Sequence, residues 1–164
     1  MKPEAIVYTS STGFTRRYAY MLADKTGLEV YDIKAAKAVA GKPVIYMGWL
    51  MAGSVKDYSK ARKRFDIRAV CGVGLCPTGA LLDEVRRTAK IPADVPLFTV
   101  QGGMDHEKLH GVDKFMIKML VKMLSAKKDK SAGEQAMLDM IIRGGDFVDE
   151  KNLAAVLDWF GTQA

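Results

Sequence analysis

Between residues 8 and 15 the chain reads Tyr8-Thr9-Ser10-Ser11-Thr12-Gly13-Phe14-Thr15, hydroxyl side chains crowded around a single glycine. The apolar run Ala5-Ile6-Val7-Tyr8 ahead of it predicts a buried strand, and Arg16 to Thr26 behind it predicts a helix stopped by Gly27. Hydroxyls and unpaired N–H groups at a helix N-terminus face one small volume, where the helix dipole adds partial positive charge. Such a turn suits an anion, and phosphate is the usual occupant. No Gly-Lys-Ser/Thr pattern follows, which excludes a nucleotide P-loop, and one glycine does not make a dinucleotide fingerprint. A monophosphate held by neutral hydroxyls and amides remains, which points to flavin mononucleotide (FMN). A plainer alternative stays open: Ser and Thr are ordinary helix caps, and a strand-turn-helix junction needs polar residues whatever it binds.

The elements that must position this turn follow from periodicity. Leu28 to Ile33 alternates and reads as a strand; Pro43 to Gly48 is continuously apolar, as for a strand covered on both faces. Lys56 to Phe65 reads as a helix, Ile67 to Val73 as a buried strand, Leu81 to Lys90 as a helix and Val95 to Val100 as a strand. Helices are expected near Val112 to Ser125, Glu134 to Arg143 and Glu150 to Phe160, with Ala126 to Gly133 a polar linker. Strands alternating with helices give an α/β domain whose parallel sheet is covered on both faces, and five strands with short crossovers suit the order 2-1-3-4-5. In such sheets ligands bind at the carboxyl ends of the strands, where the hydroxyl turn lies. Two more segments fall there, Gly48-Trp49-Leu50-Met51-Ala52-Gly53 and Gly74-Leu75-Cys76-Pro77-Thr78-Gly79. A flat, apolar isoalloxazine needs walls. Trp49, Leu50 and Met51 offer one and Leu75 and Pro77 the other, while Gly53, Gly74 and Gly79 allow close backbone approach.

Composition narrows the classes. The 164 residues suffice for one domain with a sizeable core, 49% of them hydrophobic, with no apolar run near the ~20 residues of a spanning helix. The strand begins almost at the N-terminus, so no signal peptide is expected. Cys71 and Cys76 match no zinc-ribbon spacing and fit a reducing cytoplasm as packed thiols. The net charge of +6 suits an acidic partner or an anionic membrane surface. Nucleic acid is disfavoured, because the basic residues are spread over several helices. His106 and His110 read as a polar loop rather than a metal site, and no Ser-His-Asp arrangement or general base is readable.

The residues resemble the flavodoxin family over about 4 to 125. Ser10-Ser11-Thr12-Gly13-Phe14-Thr15 matches its Ser/Thr-x-Thr-Gly-x-Thr phosphate loop, and the Gly48–Gly53 and Gly72–Gly79 segments stand where its ring-binding loops fall. The resemblance implies a three-layer sandwich and an FMN phosphate held by Ser10, Thr12 and Thr15 with the amides of Gly13 and Phe14. Gly111 to Leu120 looks like the last core helix of bacterial flavodoxin-like protoporphyrinogen oxidases, which pass electrons from a porphyrinogen through FMN to a quinone. Those enzymes carry a basic insertion where this chain has a conventional loop and helix, Gly74 to Lys90.

On that helix Lys114, Lys118 and Lys122 form one stripe, and apolar residues fill most of the remaining circumference. One sheet face needs only a ~100° apolar stripe. The excess calls for the C-terminal helices, through Leu138, Ile141, Leu153, Val156 and Leu157, or for a dimer partner, or for an anionic membrane surface. Three functions therefore stand: an FMN electron carrier between protein partners, a quinone-linked flavoenzyme, and a cofactor-free adaptor of the same fold. Flavodoxins are typically acidic, so the positive charge turns away from their usual reductases and toward a membrane-associated acceptor. The expected location is the cytoplasm or the periphery of the inner membrane face.

Overall fold

Successive residues of the first strand, β1 (Ala5–Thr9), point to opposite sides, and this alternation builds the layers. Ala5 and Val7 join Val44 and Tyr46 of β3 (Pro43–Met51) and Val70 of β5 (Asp66–Gly74) in one buried cluster. Two helices close that side: α2 (Tyr58–Arg64) with Tyr58 and Ala61, and α3 (Leu82–Ala89) with Val85. Ile6, Ile45, Met47 and Cys71 point the other way, against Tyr18, Ala19 and Leu22 of α1 (Phe14–Thr26). With β2 (Glu29–Asp32) and β6 (Leu97–Gln101), the strands run β2-β1-β3-β5-β6, all parallel. The computed structural model describes residues 1–163.

The sheet departs from the expected five-strand order by a sixth strand. β3 does not stop at Gly48 but runs on to Met51, turns through Ala52 and Gly53, and returns antiparallel as β4 (Ser54–Val55). Ala52 and Gly53 both have positive φ, 49° and 75°, the signature of a tight hairpin turn. Trp49, Leu50 and Met51 are therefore strand residues rather than loop residues.

The C-terminal third differs more. After β6 the chain makes a two-residue strand, β7 (Gly103–Met104), that pairs antiparallel with β8 (Gly145–Asp146). Between them project α4 (Gly111–Ala126) and α5 (Ala132–Arg143), packed on each other through Ile117, Leu124, Leu138 and Ile141. A Cβ on Gly103 would sit 2.2 Å from the Gly145 carbonyl oxygen and 2.8 Å from the Phe14 ring, so only glycine lets the two strands meet here. The expected last core helix thus lies off the sheet. Its place beside α1 is taken by a 3-10 turn (Glu150–Leu153) and α6 (Ala154–Gly161), whose Leu153, Val156 and Phe160 enter the α1-side cluster. So Leu138 and Ile141 do cover α4, but Leu153 and Val156 belong to the sheet. α6 thus joins the core of the sheet, and 105–144 is an excursion between the two strands of the ribbon.

Polar groups fasten these parts. The Tyr18 hydroxyl donates to the Gln101 carbonyl at 2.5 Å and accepts from the Asn152 amide at 2.7 Å, tying α1 to the end of β6 and the turn before α6. Burial holds the Tyr18 phenol above its ordinary pKa. The supposed linker before α5 ends in a capping box: Ser131 Oγ accepts from the Glu134 amide, and the Glu134 carboxylate accepts from the Ser131 amide.

Candidate functional site

The hydroxyl turn closes β1 and opens α1. Gly13, in the left-handed region at φ 98°, is the N-cap of α1, and no side chain caps the helix. Two of its hydroxyls are engaged otherwise. Ser10 Oγ accepts from the Gly13 amide at 3.1 Å, which tightens the turn. Ser11 Oγ donates at 2.8 Å to a carboxylate, Asp113 Oδ2, on the first turn of α4. The 13-residue helix therefore presents its N-terminus with no side-chain cap, beside a hydroxyl already bonded to an anionic oxygen.

The β3–β4 hairpin is fixed relative to this turn by Tyr46. Its hydroxyl donates to the Lys56 carbonyl at 2.5 Å and accepts from Thr9 Oγ1 at 2.9 Å. Burial pushes this phenol well above its usual range, against the opposing Thr9 bond, so it serves as a neutral clamp. Lys56 then reaches across: its Nζ lies 5.5 Å from the Trp49 ring centre and 3.6 Å from Asp113 Oδ1. Hydroxyl turn, hairpin and α4 are joined through Ser11, Asp113, Lys56 and Trp49.

Strand β6 holds the third segment. The Gly74 carbonyl accepts from the Gly102 amide at 2.7 Å, the Leu75 carbonyl from Gln101 Nε2 at 3.1 Å, and the Gly79 amide donates to the Thr99 carbonyl at 2.9 Å. A Cβ on Gly74 would stand 3.0 Å from Leu50 Cδ1, so this glycine makes room for Leu50 and not only for a ligand. Cys71 is fully buried in the sheet, with its thiol pushed up to about 12 by burial. Burial, helped by the Glu84 carboxylate, also raises Cys76. Both cysteines are free thiols.

The three segments meet in one cavity of about 550 Å³ at the carboxyl ends of β1, β3, β5 and β6. Its walls bring together Ser10, Ser11, Thr12, Phe14, Thr15, the Trp49–Gly53 hairpin, and Gly74, Leu75, Cys76 and Pro77. Gly13 and Gly79 are not among them. Gly13 instead lines a wider, open groove of about 990 Å³ between α1 and the β7–β8 ribbon, where both signs of charge occur. The cavity has a roof that sequence reasoning missed: Leu109, Ile117, Leu120, Met137 and Ile141 from the α4–α5 excursion. One readable signal was the spacing Asp113, Ile117, Leu120 and Leu124, which marks an inward α4 face apart from the lysine stripe. The volume is in the usual ~300–1,000 Å³ range of cofactor sites, and the lining is mostly apolar, with the hydroxyl turn and the carboxylates of Glu84 and Glu134 among it. Among the described residues no group of three or more His, Cys, Asp or Glu could hold a metal ion. No family model, curated protein or solved structure matches the chain.

Proposed function

We propose that this chain is a flavodoxin-like protein that binds FMN non-covalently and carries electrons between partners. The observation that carries the reading is the single cavity shared by the hydroxyl turn, the Trp49 hairpin and the Gly74–Pro77 loop. The five parallel strands, counted without the β4 appendage, support it as well. Ser10, Thr12 and Thr15, with the Phe14 amide, would hold the phosphate, while the Gly13 amide is taken by Ser10 Oγ. Trp49 and Met51 on one side, and Leu75 and Pro77 on the other, would flank the ring. FMN, when bound, supplies one- and two-electron transfer; the chain's part is to orient the ring and exclude water beneath α4 and α5.

One observation favours a second reading, a flavoenzyme that oxidises a porphyrinogen-like donor and reduces a quinone. The roof of Leu109, Ile117, Leu120 and Met137 makes the ring side an apolar chamber suited to a small lipophilic acceptor rather than to an open protein interface. Quinone-dependent turnover of a porphyrinogen would establish it. The test of both is titration of the apo-protein with FMN, followed by flavin fluorescence, with riboflavin as the ligand lacking phosphate. Tight quenching by FMN and not riboflavin is expected, and Thr12→Glu should abolish it by charge repulsion while leaving the circular dichroism unchanged. If neither flavin binds, the cofactor-free adaptor replaces both readings.

A further inference from the structure

We propose that the outer face of α4 docks on an anionic membrane surface. At about 100° per residue, Ile117, Val121 and Leu124 of α4 turn inward, toward α5 and the cavity. Val112, Phe115 and Met119 lie on the opposite side and are 72%, 62% and 49% exposed; Met123, 63% exposed, stands between this face and the cavity edge. The C-terminal helices, which were the expected cover, leave this face open. Lys114, Lys118 and Lys122 form its border, and none of them pairs with a carboxylate among the described residues.

Charge selects the occupant. Between 111 and 130 there are six lysines and two aspartates, and one of those, Asp113, is committed inward to Ser11 and Lys56. An apolar strip with a cationic border matches the acyl boundary beneath anionic headgroups, with the lysine stems reaching up to the phosphates. A second copy would instead bring another lysine-rich surface against this one. No helix of the described residues is long and apolar enough to cross a membrane, so the contact is peripheral. Packing of Ile117 and Leu124 on Leu138 and Ile141 of α5, and the Ser11–Asp113 bond, hold α4 in place, so the strip is presented preformed. This inference does not rest on the flavin reading.

The full chain should be sedimented with large unilamellar vesicles of phosphatidylcholine alone, and with about 30% phosphatidylserine, with and without FMN. Binding is expected on the anionic vesicles only, weakened by salt and unaffected by FMN. The K114Q/K118Q/K122Q triple variant should bind about a hundredfold more weakly, since each lysine contributes about fivefold. Phe115→Glu should also lose binding at an unchanged melting temperature, because its side chain is mostly exposed. Equal binding to both vesicle types, absence of binding, or variants that bind like the parent would overturn the proposal. So would a stable dimer by analytical ultracentrifugation that Phe115→Glu dissociates, because a second copy would then own the face.

Discussion

Replacing Asp113 with asparagine removes a negative charge from the hydroxyl turn while keeping a group that can accept from Ser11. In the parent, Asp113 Oδ2 takes the Ser11 hydroxyl at 2.8 Å and Oδ1 lies 3.6 Å from the Lys56 ammonium. A phosphate oxygen competing for the same hydroxyl would come to within about 5 Å of that carboxylate. At this separation two unit charges repel by about 0.8 kcal/mol in water and about 3 kcal/mol at an effective dielectric of about 20. The Asp113 side chain is 25% exposed, so the cost lies between these limits. Asp113→Asn should therefore tighten FMN binding by about tenfold, with about fourfold as the lower bound. Lys56, released from its pair, adds in the same direction. Riboflavin has no phosphate and should bind both proteins alike, and the FMN gain should shrink at high salt. Fluorescence-quenching titrations at two ionic strengths read all of this. An unchanged or weaker FMN affinity would remove the phosphate from the Ser11 turn. An equal gain for riboflavin would assign the effect to a loosened α4 instead of to charge.

Other perturbations test the frame. Trp49→Ala should weaken FMN binding by about 1–3 kcal/mol through lost stacking, and unchanged affinity would take Trp49 out of the site. Gly103→Ala must push apart β7, the Gly145 carbonyl and the Phe14 ring; a loss of about 1–3 kcal/mol in urea unfolding is expected, and an unaltered midpoint would contradict the ribbon. The Cys71 thiol is held near 12, above its unfolded value of about 9. As pH rises past 9 the unfolded chain loses this proton first, so stability should fall between pH 9 and 12, and Cys71→Ala should remove that part of the slope. A slope identical in the variant would mean the thiol is not buried as described.

How far the sequence could be read depended on the range of the forces involved. The hydroxyl turn was legible because its geometry is local: an apolar strand, a left-handed Gly13 and a helix with Tyr18, Ala19 and Leu22 on one face. The capping box at Ser131 and Glu134 was equally local and was there to be read in the segment expected to be a polar linker. The hairpin after β3 was harder, since Trp49-Leu50-Met51 carries no turn signal and Ala52 takes a conformation usually left to glycine. Leu50 both lines the cavity and lies over Gly72 and Gly74, a contact that its sequence neighbours do not announce.

The helices of the C-terminal third show where pattern ends. Residues 112–125 are apolar on two opposite faces, so periodicity marks a helix but not which face meets the sheet. Residues 154–161 are apolar enough for the same place, and only packing against α1 and β6 gives it to them. By itself, then, the sequence determined the alternating strands and helices and the hydroxyl turn at the carboxyl end of the first strand, because those follow from neighbours within a few residues. The tertiary structure decided that α4 and α5 roof the cavity and that Asp113 meets Ser11, 102 positions away. These are contacts between distant segments, fixed by a ribbon in which Gly103 and Gly145 meet too closely for any side chain at Gly103, and no local propensity encodes them.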